Sequence, residues 1–148
     1  MSQLYQLSDH TRAAIRQFRL ATSRADALQT LVLAIRPRPS YEIVVDNDAT
    51  EEAAGEVSGL EDLAEVLPDN TPRFVLLAYP LSSDGRQRTA LVLLHWKPAT
   101  VVSQEWKMLY AGATELVRSE CAPNKFLEVS SGLEEDADVE DLRSQIEA

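Results

Sequence analysis

Cysteine occurs once in this chain, at position 121, and histidine twice, at positions 10 and 95. A lone thiol closes no internal disulfide, and a secreted chain of this size more often carries an even set, so a reducing intracellular compartment is expected. The two histidines stand in neither HxxxH nor HExxH spacing and no second cysteine joins them, so no metal site is expected. The GxSxG elbow, the GxGxxG fingerprint and the GxxxxGK[ST] loop are all missing, which removes the usual sequence warrants for acyl transfer, dinucleotide binding and phosphate binding. Adjacent carboxylates such as Glu51-Glu52 and Glu134-Glu135 sit in polar stretches and read as solvated charge. No enzyme and no cofactor are expected.

Long apolar runs are also lacking. The longest are short pieces such as Phe74 to Ala78 and Ala90 to Leu94, far below the roughly 18 residues of a spanning helix. The opening MSQLYQLSDH has no basic region followed by an apolar stretch, so no secretory signal is expected. Cations are outnumbered, 14 against 24 acids, for a net charge of -10. Nonspecific nucleic-acid or anionic-membrane binding needs clustered cations, so neither partner is expected.

What is present is an ordinary globular composition: 148 residues, 45% hydrophobic and 26% charged. A chain of this length buries roughly 70% of its unfolded surface. It reads as a single domain over 1–148 with an acidic C-terminal helix or tail, and as a monomer. Charge is segregated along it: residues 1–41 are net +4, 42–72 net -10, 73–119 net +3 and 120–148 net -7.

Ser8 or Asp9 can cap a first helix through Ala21, with Ala14, Ile15 and Phe18 on one stripe and Arg12, Arg16 and Arg19 on another. Leu31 to Ile35 and Tyr41 to Val45 read as strands joined by a proline turn, and Asp46 to Gly55 as an acidic loop. Ser58-Gly-Leu-Glu61 resembles a capping box opening a short helix that Pro68 stops. Arg73 to Tyr79 and Arg88 to Trp96 flank the turn Asp84-Gly85-Arg86 as a hairpin. Their apolar runs do not alternate with polar residues, so both faces should be covered by helices. Ser103 can cap a long helix through Glu120; Phe126 to Val129 is a last strand, and Asp138 caps a short terminal helix. The order α, β, β, short α, β, β, long α, β, α predicts an α/β (α+β) sandwich around a central mixed sheet.

On the long helix, Trp106, Leu109, Tyr110, Ala113, Leu116 and Val117 make the stripe that faces the sheet. Met108, Ala111 and Gly112 then fall on the solvated side, between Lys107 and Arg118. Gly112 costs about 1 kcal/mol relative to alanine there, and an exposed methionine contributes nothing to folding. Docking into a partner, with another backbone approaching closely, would account for both. The alternative is that Met108 folds onto a neighbouring element and Gly112 is merely tolerated.

Lys107-Met108-Leu109-Tyr110-Ala111-Gly112 resembles the KMxYA pattern of the actin-depolymerising factor homology domain, and the glycine after the alanine points to the glia maturation factors. Gln17-Phe18-Arg19, Leu67-Pro68-Asp69-x-x-Pro72-Arg73-Phe74, Asp84-Gly85-Arg86, and Lys125-Phe126-Leu127-Glu128-Val129 followed by Glu140-Asp141-Leu142 are similar to the same family in the same order. The resemblance covers nearly the whole chain. It implies a non-enzymatic regulator that binds the actin-related protein 2/3 complex, inhibits branch nucleation and promotes debranching, while binding actin itself weakly. A first partner surface would comprise Ser2, Leu4, Lys107, Met108, Ala111 and Gly112. A second would comprise Asp84, Gly85, Arg86, Glu134, Glu135, Asp141 and Arg143. The implied location is the cytoplasm, at cortical actin patches of the cytoskeleton, and also the nucleus. The sequence departs from the family's pattern after Phe18-Arg19, where Leu20-Ala21-Thr22-Ser23 precedes the next base, Arg24. Cofilin-like binding and severing of filaments is the alternative; a net charge of -7 over 120–148 opposes a grip on acidic filaments. Phosphorylation of Ser2, with a family precedent in cofilins, would add negative charge beside Lys107 and Met108 and oppose docking.

Overall fold

The computed structural model describes residues 5–37, 40–83 and 85–148. The chain opens with β1 (Tyr5–Leu7), then α1 (Asp9–Ala21), β2 (Gln29–Arg36), β3 (Tyr41–Val45), α2 (Asn47–Glu56) and, after a 3-10 turn at Leu60–Asp62, the single-turn α3 (Leu63–Val66). The hairpin β4 (Arg73–Ser83) and β5 (Arg86–Trp96) follows, then α4 (Gln104–Cys121), β6 (Lys125–Val129) and α5 (Asp136–Glu147). The six strands form one sheet in the order β1-β3-β2-β4-β5-β6. The outer pairs β1·β3 and β5·β6 are parallel and the inner pairs antiparallel, so the sheet is mixed.

Both faces of the central strands are buried. Phe74 and Leu76 of β4 and Leu93 of β5 face a core shared with α1 and α4, through Ile15, Tyr110, Ala113 and Val117. The alternate residues Val75, Leu77, Val92, Leu94 and Trp96 face α2, α3 and α5, through Ala49, Ala53, Leu63, Val139, Leu142 and Ile146. A period of two inside a continuous apolar run thus serves two cores, which is why the run lacks polar residues. Each large side chain so buried contributes about 1.5–3 kcal/mol.

Four local readings are corrected. The stretch read as a loop over 46–55 is the helix Asn47–Glu56 behind its cap: the Asp46 carboxylate accepts from the Ala49 amide at 3.1 Å, and Ala49 and Ala53 turn onto the sheet while the acids stay outside. The carboxylate that closes the next turn is Asp62 rather than Glu61, accepting from the amides of Ser58 (3.0 Å) and Gly59 (3.1 Å). The terminal helix begins at Asp136, with Glu135 rather than Asp138 at the N-cap position. The first element is a strand, not a helix: Tyr5–Leu7 pairs with Tyr41–Ile43. Three residues carry too little periodicity to be read in isolation.

Candidate docking surfaces

The long helix is set down by contacts that leave its solvated side outward. The Ser103 hydroxyl accepts from the Trp106 amide at 3.2 Å, and Glu105 lies in the first turn, where negative charge complements the helix dipole. Tyr110, fully buried, accepts from the Ile35 amide of β2 at 2.9 Å, and its hydroxyl lies 3.4 Å from a guanidinium nitrogen of Arg73. Burial raises the Tyr110 pKa, keeping the phenol neutral in this role. Trp106, Tyr110, Phe74 and His95 form a ladder of tilted rings with centroid separations of 6.0, 5.6 and 5.1 Å. With that stripe held inward, the opposite side has to face solvent.

Met108 is there, 71% exposed, with Ala111 and Gly112 also exposed and Lys107 half-buried beside it. Sequence reasoning missed Val102, 84% exposed and immediately before the helix cap. It precedes the periodic segment, so no helical pattern flags it. Met108 and Val102 are two of the three large apolar side chains most exposed among the described residues. The alternative in which Met108 folds onto a neighbouring element does not hold. Ser2 and Leu4 lie outside the described residues.

Gly112 has an intramolecular cause. A Cβ at this position would stand 3.3 Å from Cζ and 3.4 Å from Cε2 of Tyr5, with the Tyr5 hydroxyl nearer still. That hydroxyl donates to the Leu109 carbonyl at 2.8 Å. The close neighbour is therefore a side chain of this chain's own β1, not a partner's backbone. Tyr5 ties β1 to the exposed side of α4 at Leu109 and Gly112.

The second set of residues is strung along the molecule rather than gathered. Gly85, with φ of +75°, and Arg86 close the hairpin at its tip; Asp84 lies outside the described residues. Ten strand residues, about 33 Å at 3.3 Å each, separate Arg86 from Trp96. Glu134 sits at the Trp96 end, on the rim of a cleft of about 500 Å³ that Pro98 and Ser131 also line. Arg143 of α5 lies between these ends, 3.5 Å from Glu61 and paired with Glu140. Asp141 is exposed and accepts from Gln145 at 2.9 Å, and Glu135 is exposed. The Tyr79 hydroxyl donates to Glu147 at 2.7 Å; burial and that carboxylate push its pKa up to about 12.

The first-helix arginines are not beside Met108. Arg12 reaches Glu120 at 3.2 Å, and Arg16 and Arg19 border a cleft with Leu91 and Asn124, at the far end of α4. The cationic character of the Met108 face comes from Lys107 alone among these residues. Cys121 is fully buried with its thiol pushed up to about 12 by burial, so it is a packed apolar side chain.

Residues 4–147 match the family model described as cofilin/tropomyosin-type actin-binding protein. The chain is 57% identical over 148 residues to Protein AIM7 of Saccharomyces cerevisiae, covering 99% of each. It superposes on the solution structure of glia maturation factor from Caenorhabditis elegans with a TM-score of 0.70 and 28% identity, covering 98% of this chain and 99% of that one. Actin depolymerization factor 2 of Plasmodium berghei shares the fold with a TM-score of 0.70 at 18% identity, covering 99% and 98%.

Proposed function

Because the chain belongs to the cofilin/tropomyosin-type actin-binding protein family, we propose that it is a glia-maturation-factor-like regulator that binds the actin-related protein 2/3 complex, inhibits branch nucleation and promotes debranching. The observation that carries this reading is Met108, exposed on the first turns of α4, with Val102 exposed just before the helix cap. Two large apolar side chains in water gain nothing in the free protein, and each is worth about 1.5–3 kcal/mol once fully covered. Methionine adapts to an irregular groove, the small Ala111 and Gly112 let the partner approach, and Lys107 supplies a cation at the rim. Cortical actin patches are the expected place of action.

Bare filaments are the weaker target in this reading. Arg143, the one base of α5, is already engaged by Glu61 and Glu140, while Asp136, Asp138, Asp141 and Glu147 belong to the same helix. A negative field on this side slows encounter with acidic filaments. Arg86, exposed at the hairpin tip, forms no ion pair among the described residues and is free to reach a second subunit. The test compares the wild type with Lys107→Ala, Met108→Ala and Arg86→Ala for binding to the branch complex and for debranching. Lys107 and Met108 changes should reduce affinity, and Arg86→Ala should reduce debranching with less loss of binding. Cosedimentation with bare filaments as strong as binding to the branch complex would favour the cofilin-like alternative.

A further inference from the structure

The cleft at the far end of α4 is unused by the surfaces above. Arg16, Arg19 and Leu20 of α1 form one wall, and Thr89 and Leu91 of β5 with Asn124, the residue before β6, form the other, enclosing about 370 Å³. Met108 and Cys121 are thirteen helix residues apart, about 20 Å, so this cleft and the Met108 face are separate. Leu20 is 67% exposed, the remaining member of the set of large apolar side chains left in water. No carboxylate lines the cleft, and neither Arg16 nor Arg19 forms an ion pair among the described residues. Arg24 and Arg88, exposed and next in sequence to Ser23 and Thr89 of the rim, are likewise unpaired. In a chain of net charge -10 this is a concentration of uncompensated positive charge around one exposed leucine.

We propose that this cleft is a docking site for an acidic protein segment that places an apolar side chain against Leu20 and Leu91 and its carboxylates on Arg16 and Arg19. Charge complementarity selects the sign of the occupant, since guanidinium groups take carboxylates in paired geometry. The leucine floor selects a peptide over a free anion, because an anion alone leaves Leu20 in water. A flat anionic membrane is disfavoured, because a planar surface cannot enter the cleft to reach the half-buried Leu91 on its second wall, whereas a single extended segment can.

The probe is a short synthetic peptide repeating Leu-Glu-Glu-Glu, titrated into the isotope-labelled full chain while amide resonances are followed. Saturable shifts confined to residues 16–23, 89–91 and 124 are expected. The same peptide with glutamine for glutamate should not bind. Arg16→Glu with Arg19→Glu should weaken binding by about tenfold, given two lost ion pairs and two new repulsions. Leu20→Ser should weaken it by about fivefold, and Met108→Ala should leave it unchanged. Since all three side chains of the cleft variants are exposed, their spectra away from the cleft should remain those of the wild type. Binding of the glutamine peptide with equal affinity, shifts centred elsewhere, or sedimentation with phosphatidylserine vesicles that needs Arg16 and Arg19 while the peptide gives no shifts would each overturn the proposal.

Discussion

The contact between Tyr5 and Gly112 can be tested as a double-mutant cycle. Gly112→Ala in an exposed helix interior should stabilise the fold by about 1 kcal/mol, because alanine loses less backbone entropy than glycine. The new Cβ, however, would fall within 3.3–3.4 Å of the Tyr5 ring carbons and closer to the hydroxyl. Tyr5 has to swing away, losing its 2.8 Å hydrogen bond to the Leu109 carbonyl, a net loss of about 1 kcal/mol. The two effects nearly cancel, so Gly112→Ala alone should change stability little or destabilise slightly. In a Tyr5→Phe background the hydroxyl is already absent, and the same change should recover most of its 1 kcal/mol. Urea unfolding of the four proteins should therefore give a coupling energy of about 1 kcal/mol. Gly112→Ala stabilising the wild type by its full propensity, with no dependence on residue 5, would refute the packing of Tyr5 on α4.

His95 is 2% exposed, its Nδ1 lies 3.4 Å from Glu128, and its Nε2 has no hydrogen-bond partner among the described residues. Burial, then Lys97, holds its pKa below the ordinary 6.5. A base with a depressed folded pKa costs stability as soon as the unfolded chain begins to protonate, so stability should be level above about pH 6.5 and fall below it by up to about 1.4 kcal/mol per pH unit. His95→Phe should flatten that slope in thermal melts taken from pH 7.5 down to the ordinary carboxylate range. Asp46 caps α2 and its second oxygen lies 3.1 Å from the Arg73 guanidinium. Asp46→Ala should cost about 2 kcal/mol, the sum of a cap and a half-buried ion pair, and Asp46→Asn about 1, because the cap survives; chemical denaturation distinguishes them.

Much of the architecture was legible because its signals are periodic or chemical. Ser8 and Ser103 cap the helices expected of them, the hairpin turns at Gly85, and the inward stripe of α4 follows its 3.6-residue period. Stretches where burial is small or strongly mixed with charge were illegible. In α2 only the small residues Ala49 and Ala53 are buried, so an acidic composition hid a helix. Met108 was found as a break in periodicity, and Val102, outside any period, was not. Gly112 stands out in sequence as a glycine within a helix, but its near neighbour is Tyr5 rather than a partner's backbone, since nothing in sequence says that position 5 returns to position 112. The charge blocks are a coarse guide: of the bases in residues 1–41, Arg16 and Arg19 border Leu20 at the far end of α4, Arg12 pairs with Glu120 and Arg36 with Glu42.

The central claim is that the front of α4 docks to the branch complex, and affinity for the purified complex tests it most directly. Truncating an anchor at an interface centre costs about 2 kcal/mol or more, so Met108→Ala should raise Kd by about thirtyfold at unchanged stability. Val102→Ser should weaken binding in the same assay. Wild-type affinity in both variants would contradict the assignment of this face, even with the family membership intact.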